Sequence, residues 1–228
     1  MNPNKYHIYF SLYQIIMAFI ILPLCYYLWL IKLNYRHDLV FLVIINPIIF
    51  GYIVPGLGTN YLKIWKFNAG IKFGDYTLLH GLMLGAATSF LGWCCVDVFS
   101  SDKSILQLIK SAHIMGITIG FWNWLFDIFA IKNSIAIIYN KPYFENKSPE
   151  YIASDYAPVY FGIFGAAYGI YLYLIFNLQL DYRTSFYWIF FLLSGLLTIV
   201  MPVLFYCLSS YIKHGYFGLY PYNERITK

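Results

Sequence analysis

The 228 residues are 61% hydrophobic and only 11% charged, with a net charge of +5 and a mean hydropathy of +0.62. A soluble domain carries about a quarter charged residues, so that class is excluded. The Lys and Arg residues form no basic stripe of the kind that nucleic-acid binding requires.

A helix crosses a bilayer in about 20 residues, which leaves room for about six spans and little for a soluble domain. The expected fold is therefore all-α: a polytopic membrane bundle forming one domain over 1–228, with both termini on one side. The first span is expected over about 8–31, with a kink at Pro23. Its apolar run is too long for a signal-peptide core, so it should remain as a span. The second covers about 39–57 and contains Asn46-Pro47 and Pro55-Gly56. Each proline removes a backbone hydrogen bond, and in lipid each freed carbonyl must find another donor. Pro55 to Asn60 is thus expected to form a turn.

The third span is placed at about 76–99, with Asp75 before it as an N-cap. The fourth is placed at about 111–131, after an amphipathic lead-in from Ser101 to Lys110. The fifth covers about 157–178, with Pro158 in its first turn. The sixth covers about 185–211. The longest connection, Lys132 to Tyr156, reads as a surface loop. Lys and Arg divide ten against five between the two sides, and cytoplasmic loops carry the excess. That places both termini in the cytoplasm. The sequon Asn146-Lys147-Ser148 then lies on the side where glycosylation does not occur.

Glycines recur four apart in three successive spans: Gly81 and Gly85, Gly116 and Gly120, Gly165 and Gly169. Such pairs permit close helix approach, so spans three to five should form the tightly packed centre. Gly is also frequent in membrane helices generally. The 24 Tyr and 20 Phe have two readings: ring faces that stabilise a cationic intermediate, or the codon bias of an AT-rich genome.

Most of the ten acidic residues lie in loops or at helix ends, and only Asp127 lies well inside an apolar span. A carboxylate there faces the bundle interior and takes a partner. Asn123 stands four residues earlier, on the same helical face. The topology brings His80, Asp75, Thr59, Asn60, Asp155 and Tyr156 to the same depth, near the cytoplasmic leaflet. His80 and Asp127 could form an acid–base pair, with Asn123 orienting Asp127 and Asp75 or Asp155 tuning the charge. They could equally tie helices together. On the opposite side His37, Asp38, Asp97, Asp102, His113 and Asp181 read as solvated helix ends.

The five His residues show no H-x-x-H, H-x-x-x-H or H-E-x-x-H spacing. No C-x-x-C, P-loop, dinucleotide fingerprint or nucleophile elbow occurs. No metal or cofactor is therefore expected. The expected function is a membrane enzyme acting on a lipidic or isoprenoid substrate by isomerase- or cyclase-type acid–base chemistry. The chain is of the same size as small polytopic enzymes with such activities, though none of their motifs is present. The alternatives are a small transporter or channel, and a structural subunit whose glycine faces bind other helices. The expected partners are the bilayer and a lipophilic small molecule, with a helix-mediated oligomer as a further possibility.

Overall fold

The computed structural model describes residues 3–95, 97, 99 and 103–222. Helices dominate it. Five are long and apolar enough to cross a membrane: Lys5–Lys32, His37–Tyr61, Ile105–Lys132, Ala157–Asn177 and Ser185–His214. Many large apolar side chains on these helices point outward, among them Ile117, Leu192, Leu196 and Leu208. A soluble protein seldom exposes so wide an apolar surface.

The first long helix joins α1 (Pro3–Ile16), a π-helical turn (Met17–Ile21) and α2 (Leu22–Lys32). The cause is local. Pro23 has no N–H to give the preceding turn, and the helix widens just before it, with the Leu22 N–H bonded to Met17 O. The expected kink at Pro23 thus takes the form of a wide turn on its N-terminal side.

The second long helix, α3 (His37–Gly56), keeps both Pro47 and Pro55 inside it. Each proline orphans the carbonyl four residues earlier. Val43 O accepts from the Tyr168 hydroxyl at 2.9 Å, and Gly51 O accepts from the Tyr76 hydroxyl at 2.6 Å. With both acceptors satisfied, nothing forces the helix to stop. It runs on through a second π-helical turn, Leu57–Tyr61, where Thr59 Oγ1 donates to Pro55 O at 2.8 Å. The turn expected over Pro55 to Asn60 is therefore helical.

The next segment departs further from expectation. Short strands β1 (Trp65–Phe67), β2 (Lys72–Phe73) and β3 (Tyr76–Thr77) precede α4, which covers only His80–Cys94. Asp75 does not cap α4. It follows Gly74 in the β2–β3 turn, where Gly74 has φ +67°, a conformation that glycine adopts without strain. The N-cap position is Leu79. The third expected span is thus a 15-residue helix. At about 1.5 Å per residue it is shorter than a hydrocarbon core of about 30 Å.

The fourth helix, α5 (Ile105–Lys132), begins with the Ser104 hydroxyl accepting from the Gln107 N–H. From Ile105 onward the expected lead-in is the first part of this helix; Ser101 and Asp102 lie outside the described residues. The long connection after it is ordered rather than looped, with β4 (Ala136–Ile138), α6 (Lys141–Phe144) and α7 (Pro149–Ser154). β4 pairs antiparallel with β1, Trp65 opposite Ile138 and Phe67 opposite Ala136. The two connections at this end of the bundle therefore close into one cap. α8 (Ala157–Asn177) and α9 (Ser185–His214) complete the chain.

Glycine sets the helix contacts, in two groups. A Cβ on Gly165 would stand 2.5 Å from Met115 O, and one on Gly120 3.1 Å from the Gly162 Cα. α5 and α8 thus meet backbone to backbone. The α4 glycines turn the other way: Gly81 faces Gly51 and Tyr52 on α3, and Gly85 faces Ile48. The expected three-helix centre is really two glycine-lined pairs, α5 with α8 and α3 with α4. Between them lies an aromatic core that includes Phe50 stacked on Phe164 at 3.8 Å between centroids.

The first helix and the segment after α9 both meet the cap. Phe10 stacks on Phe67 at 6.3 Å, and the Tyr222 N–H donates to Tyr139 O at 3.1 Å. At the opposite end Lys32 pairs with Asp97 at 2.9 Å, and Arg36 with Asp38 at 2.6 Å. The Asp38 side chain is thus mostly covered, at 13% exposed, and paired with the half-exposed Arg36, whereas Asp97 is 92% exposed.

Candidate functional site

Asp127 lies near the C-terminal end of α5 and Tyr156 immediately before α8. The close glycine contact of these helices brings them together, and the Tyr156 hydroxyl donates to Asp127 Oδ2 at 2.6 Å. Burial raises the Tyr156 hydroxyl well above its usual pKa of 10. It therefore stays protonated and acts as a donor.

His80 is the first residue of α4 and is 9% exposed. Its ring packs at 4.9 Å from Phe67 and 5.7 Å from Tyr76. Its Nδ1 is buried with no hydrogen-bond partner. β1 and β3 thus hold the imidazole over the bundle, and Tyr76 is itself fixed by its bond to α3.

His80 and Asp127 share two hollows. The larger is a cleft of about 260 Å³ that also reaches Tyr13, Met17, Phe90, Trp122 and Asn123. Tyr13, Phe90 and Trp122 are exposed on its rim, so it opens sideways between α1, α4 and α5. The smaller is an inner chamber of about 50 Å³ beneath the cap, walled by Phe50, Trp65, Tyr156 and Tyr160 as well.

The other expected site residues are placed differently. Asn123 lines the cleft, but its Nδ2 donates to Ile119 O in its own helix at 2.9 Å. It does not hold Asp127. Asp75 lines neither hollow; its N–H is bonded to Asn60 Oδ1 and its carbonyl to the Phe67 N–H, both within the hairpin. Asp155 also lines neither. Its Oδ1 lies 2.7 Å from His214 Nε2, and its Oδ2 accepts from Asn140 at 3.1 Å. It joins the end of α9 to the cap. Thr59 and Asn60 serve the π-helical turn and the hairpin.

Two wall residues with polar side chains lie outside the expected set. Tyr160 follows Tyr156 by four residues, so a Tyr pair at i, i+4 was a readable signal. Trp65 had none, because only the β1–β4 pairing carries it over the chamber. Among the described residues no three His, Cys, Asp or Glu side chains gather as a metal site needs. The chain matches no protein family, no curated protein and no solved structure.

Proposed function

We propose that the protein is a multi-pass membrane enzyme that moves a proton on a lipidic or isoprenoid substrate. The observation that carries this reading is Asp127, bonded to Tyr156, at the base of an apolar cleft that opens sideways and has His80 on its wall. A lipid-soluble molecule enters such a cleft without crossing water. In an isomerisation Asp127 delivers a proton to one carbon, His80 removes one from another, and the proton on His80 returns to Asp127 before the next turnover. Composition and oxidation state are unchanged, and no cofactor is called for. The apolar rings exclude water from the cationic intermediate and present their faces to it. The cap, both chain ends and the Lys-rich connections belong on the cytoplasmic side, by the excess of Lys and Arg there.

A positioned acid or base contributes about 10²–10⁴ in rate. Asp127→Asn should therefore lower turnover at least about 100-fold while the protein accumulates normally. Mass spectrometry of lipid extracts from cells with wild-type and variant protein tests this. A product peak that disappears in the variant supports the enzyme; identical profiles exclude it. Proton-driven uptake into liposomes would instead establish a transporter. The subunit reading loses its main support, since the glycine pairs are occupied within the chain.

A further inference from the structure

The β2–β3 hairpin is tied to two long helices, and those ties fix its height. At its base the Tyr76 hydroxyl donates to Gly51 O of α3 at 2.6 Å, and the Thr77 hydroxyl donates to Gln14 Oε1 of α1 at 2.9 Å. At its tip Asn60 holds both sides of the turn. Its Nδ2 donates to Phe73 O at 3.1 Å, and its Oδ1 accepts from the Asp75 N–H at 2.8 Å. The helix His37–Tyr61 has 25 residues, about 37 Å of length against a hydrocarbon core of about 30 Å. Gly51 stands ten residues before Tyr61, about 15 Å along the helix. Even with the whole excess of about 7 Å at the Tyr61 end, Gly51 is about 8 Å inside the hydrocarbon. The base of the hairpin therefore lies below the membrane surface, and its tip, beside Asn60, lies at the headgroups.

The chemistry of the hairpin suits that position. Tyr61 is 80%, Phe73 69%, Ile71 56% and Leu78 50% exposed, an apolar surface that water would not favour. Its backbone groups are met internally, as lipid requires. Lys72 pairs with Thr77, the Leu78 N–H donates to Ile71 O at 2.7 Å, and the Phe67 N–H donates to Asp75 O at 3.0 Å. Residues 62–79 hold Lys63, Lys66 and Lys72 against one acid, Asp75. Lys63 and Lys72 are exposed and enter no ion pair with a described residue. Lysine stems lie along apolar surface while their ammonium groups reach the headgroups.

We infer that the hairpin and the end of α3 bind an anionic phospholipid of the leaflet on the cap side. Phe73, Ile71 and Leu78 meet its acyl chains, and Lys63 and Lys72 meet its phosphate. This site goes beyond the proposed reaction and does not depend on it, since these residues line neither the cleft nor the chamber.

The test uses the full-length protein in nanodiscs of equal parts phosphatidylcholine and phosphatidylglycerol. Phe73→p-benzoylphenylalanine places a photoreactive ring on the hairpin, and mass spectrometry identifies the lipid that it captures. A lysine near a bilayer surface is worth about fivefold in affinity for acidic lipid. Phosphatidylglycerol adducts should therefore exceed phosphatidylcholine adducts at least about fivefold. Lys63→Gln with Lys72→Gln should bring the ratio close to one while total lipid capture is unchanged. The same probe at Leu196, exposed on α9, should capture the two lipids about equally and ignore the lysine changes.

Absence of lipid adducts at position 73 overturns the inference, since the hairpin then faces water. Capture of a second copy of the chain overturns it in favour of a protein interface. Equal capture of the two lipids by the protein with both lysines, or a preference that survives their loss, removes the phosphate contact and the inference with it.

Discussion

Removal of the Tyr168 hydroxyl should be costly only while Pro47 is present. Pro47 has no N–H, so Val43 O depends on Tyr168 for its 2.9 Å bond. Tyr168 and Val43 are both fully buried, so no water replaces the donor. An orphaned buried carbonyl costs about 1–3 kcal/mol; measured side-chain couplings in a membrane bundle run lower, about 0.6 on average with a maximum near 1.7. Tyr168→Phe should therefore destabilise by about 1–1.5 kcal/mol. In a Pro47→Ala background the new amide reaches Val43 O by the ordinary helical bond. The cost of Tyr168→Phe should then fall below about 0.5 kcal/mol. Reversible unfolding of the four proteins in mixed micelles completes the double-mutant cycle. Equal costs in the two backgrounds, within about 0.3 kcal/mol, would refute the rescue of Val43 O by Tyr168. Tyr76 and Pro55 provide an independent repeat through Gly51 O.

Gly165→Val should separate α5 from α8 and lower thermal stability by several degrees, because its side chain would meet Met115 O. Gly195→Val should be silent, since nothing lies within 4 Å of that position; equal effects at the two sites would contradict the backbone contact. His214→Ala should loosen the C-terminal segment, seen as faster amide exchange over residues 210–222, because it strips a partner from the mostly covered Asp155. Lys213→Ala should do less, since its ammonium is 40% exposed, stands 3.7 Å from the carboxylate and bonds only the Asp155 carbonyl, at 2.7 Å; exposed pairs contribute about 0–1 kcal/mol. Asn146→Cys should react with an impermeant maleimide only after cells are opened; labelling of intact cells would invert the proposed orientation.

Much of the helical layout was readable in the sequence, because apolar runs in a low-charge chain leave few other structures. The spans expected at 157–178 and 185–211 lie close to Ala157–Asn177 and Ser185–His214. The third did not, and the reason is specific. Tyr76 and Thr77 are apolar enough to extend a hydropathy window, yet their backbone hydrogen bonds go to β2. Two- and three-residue strands are too short to show any alternation. The continuation of α3 past Pro55 was hidden for a related reason, since the donor that rescues it belongs to that same hairpin.

Composition alone decided that this chain is built of apolar helices, and a carboxylate well inside an apolar span marked Asp127 as the residue to explain. Both follow from the cost of placing polar groups in hydrocarbon, which is local and additive along the chain. The partners of Asp127 depended on which helices touch. Glycine faces join α5 to α8 and so bring Tyr156 rather than Asn123 to its carboxylate, while the β1–β4 pairing sets Trp65 over the chamber. The same tertiary contacts gave the many tyrosines a use, as hydroxyl donors to carbonyls of neighbouring helices at Val43, Leu42, Gly51 and Asp38. A donor one helix away leaves no periodic trace in sequence, so only the packed bundle could reveal it.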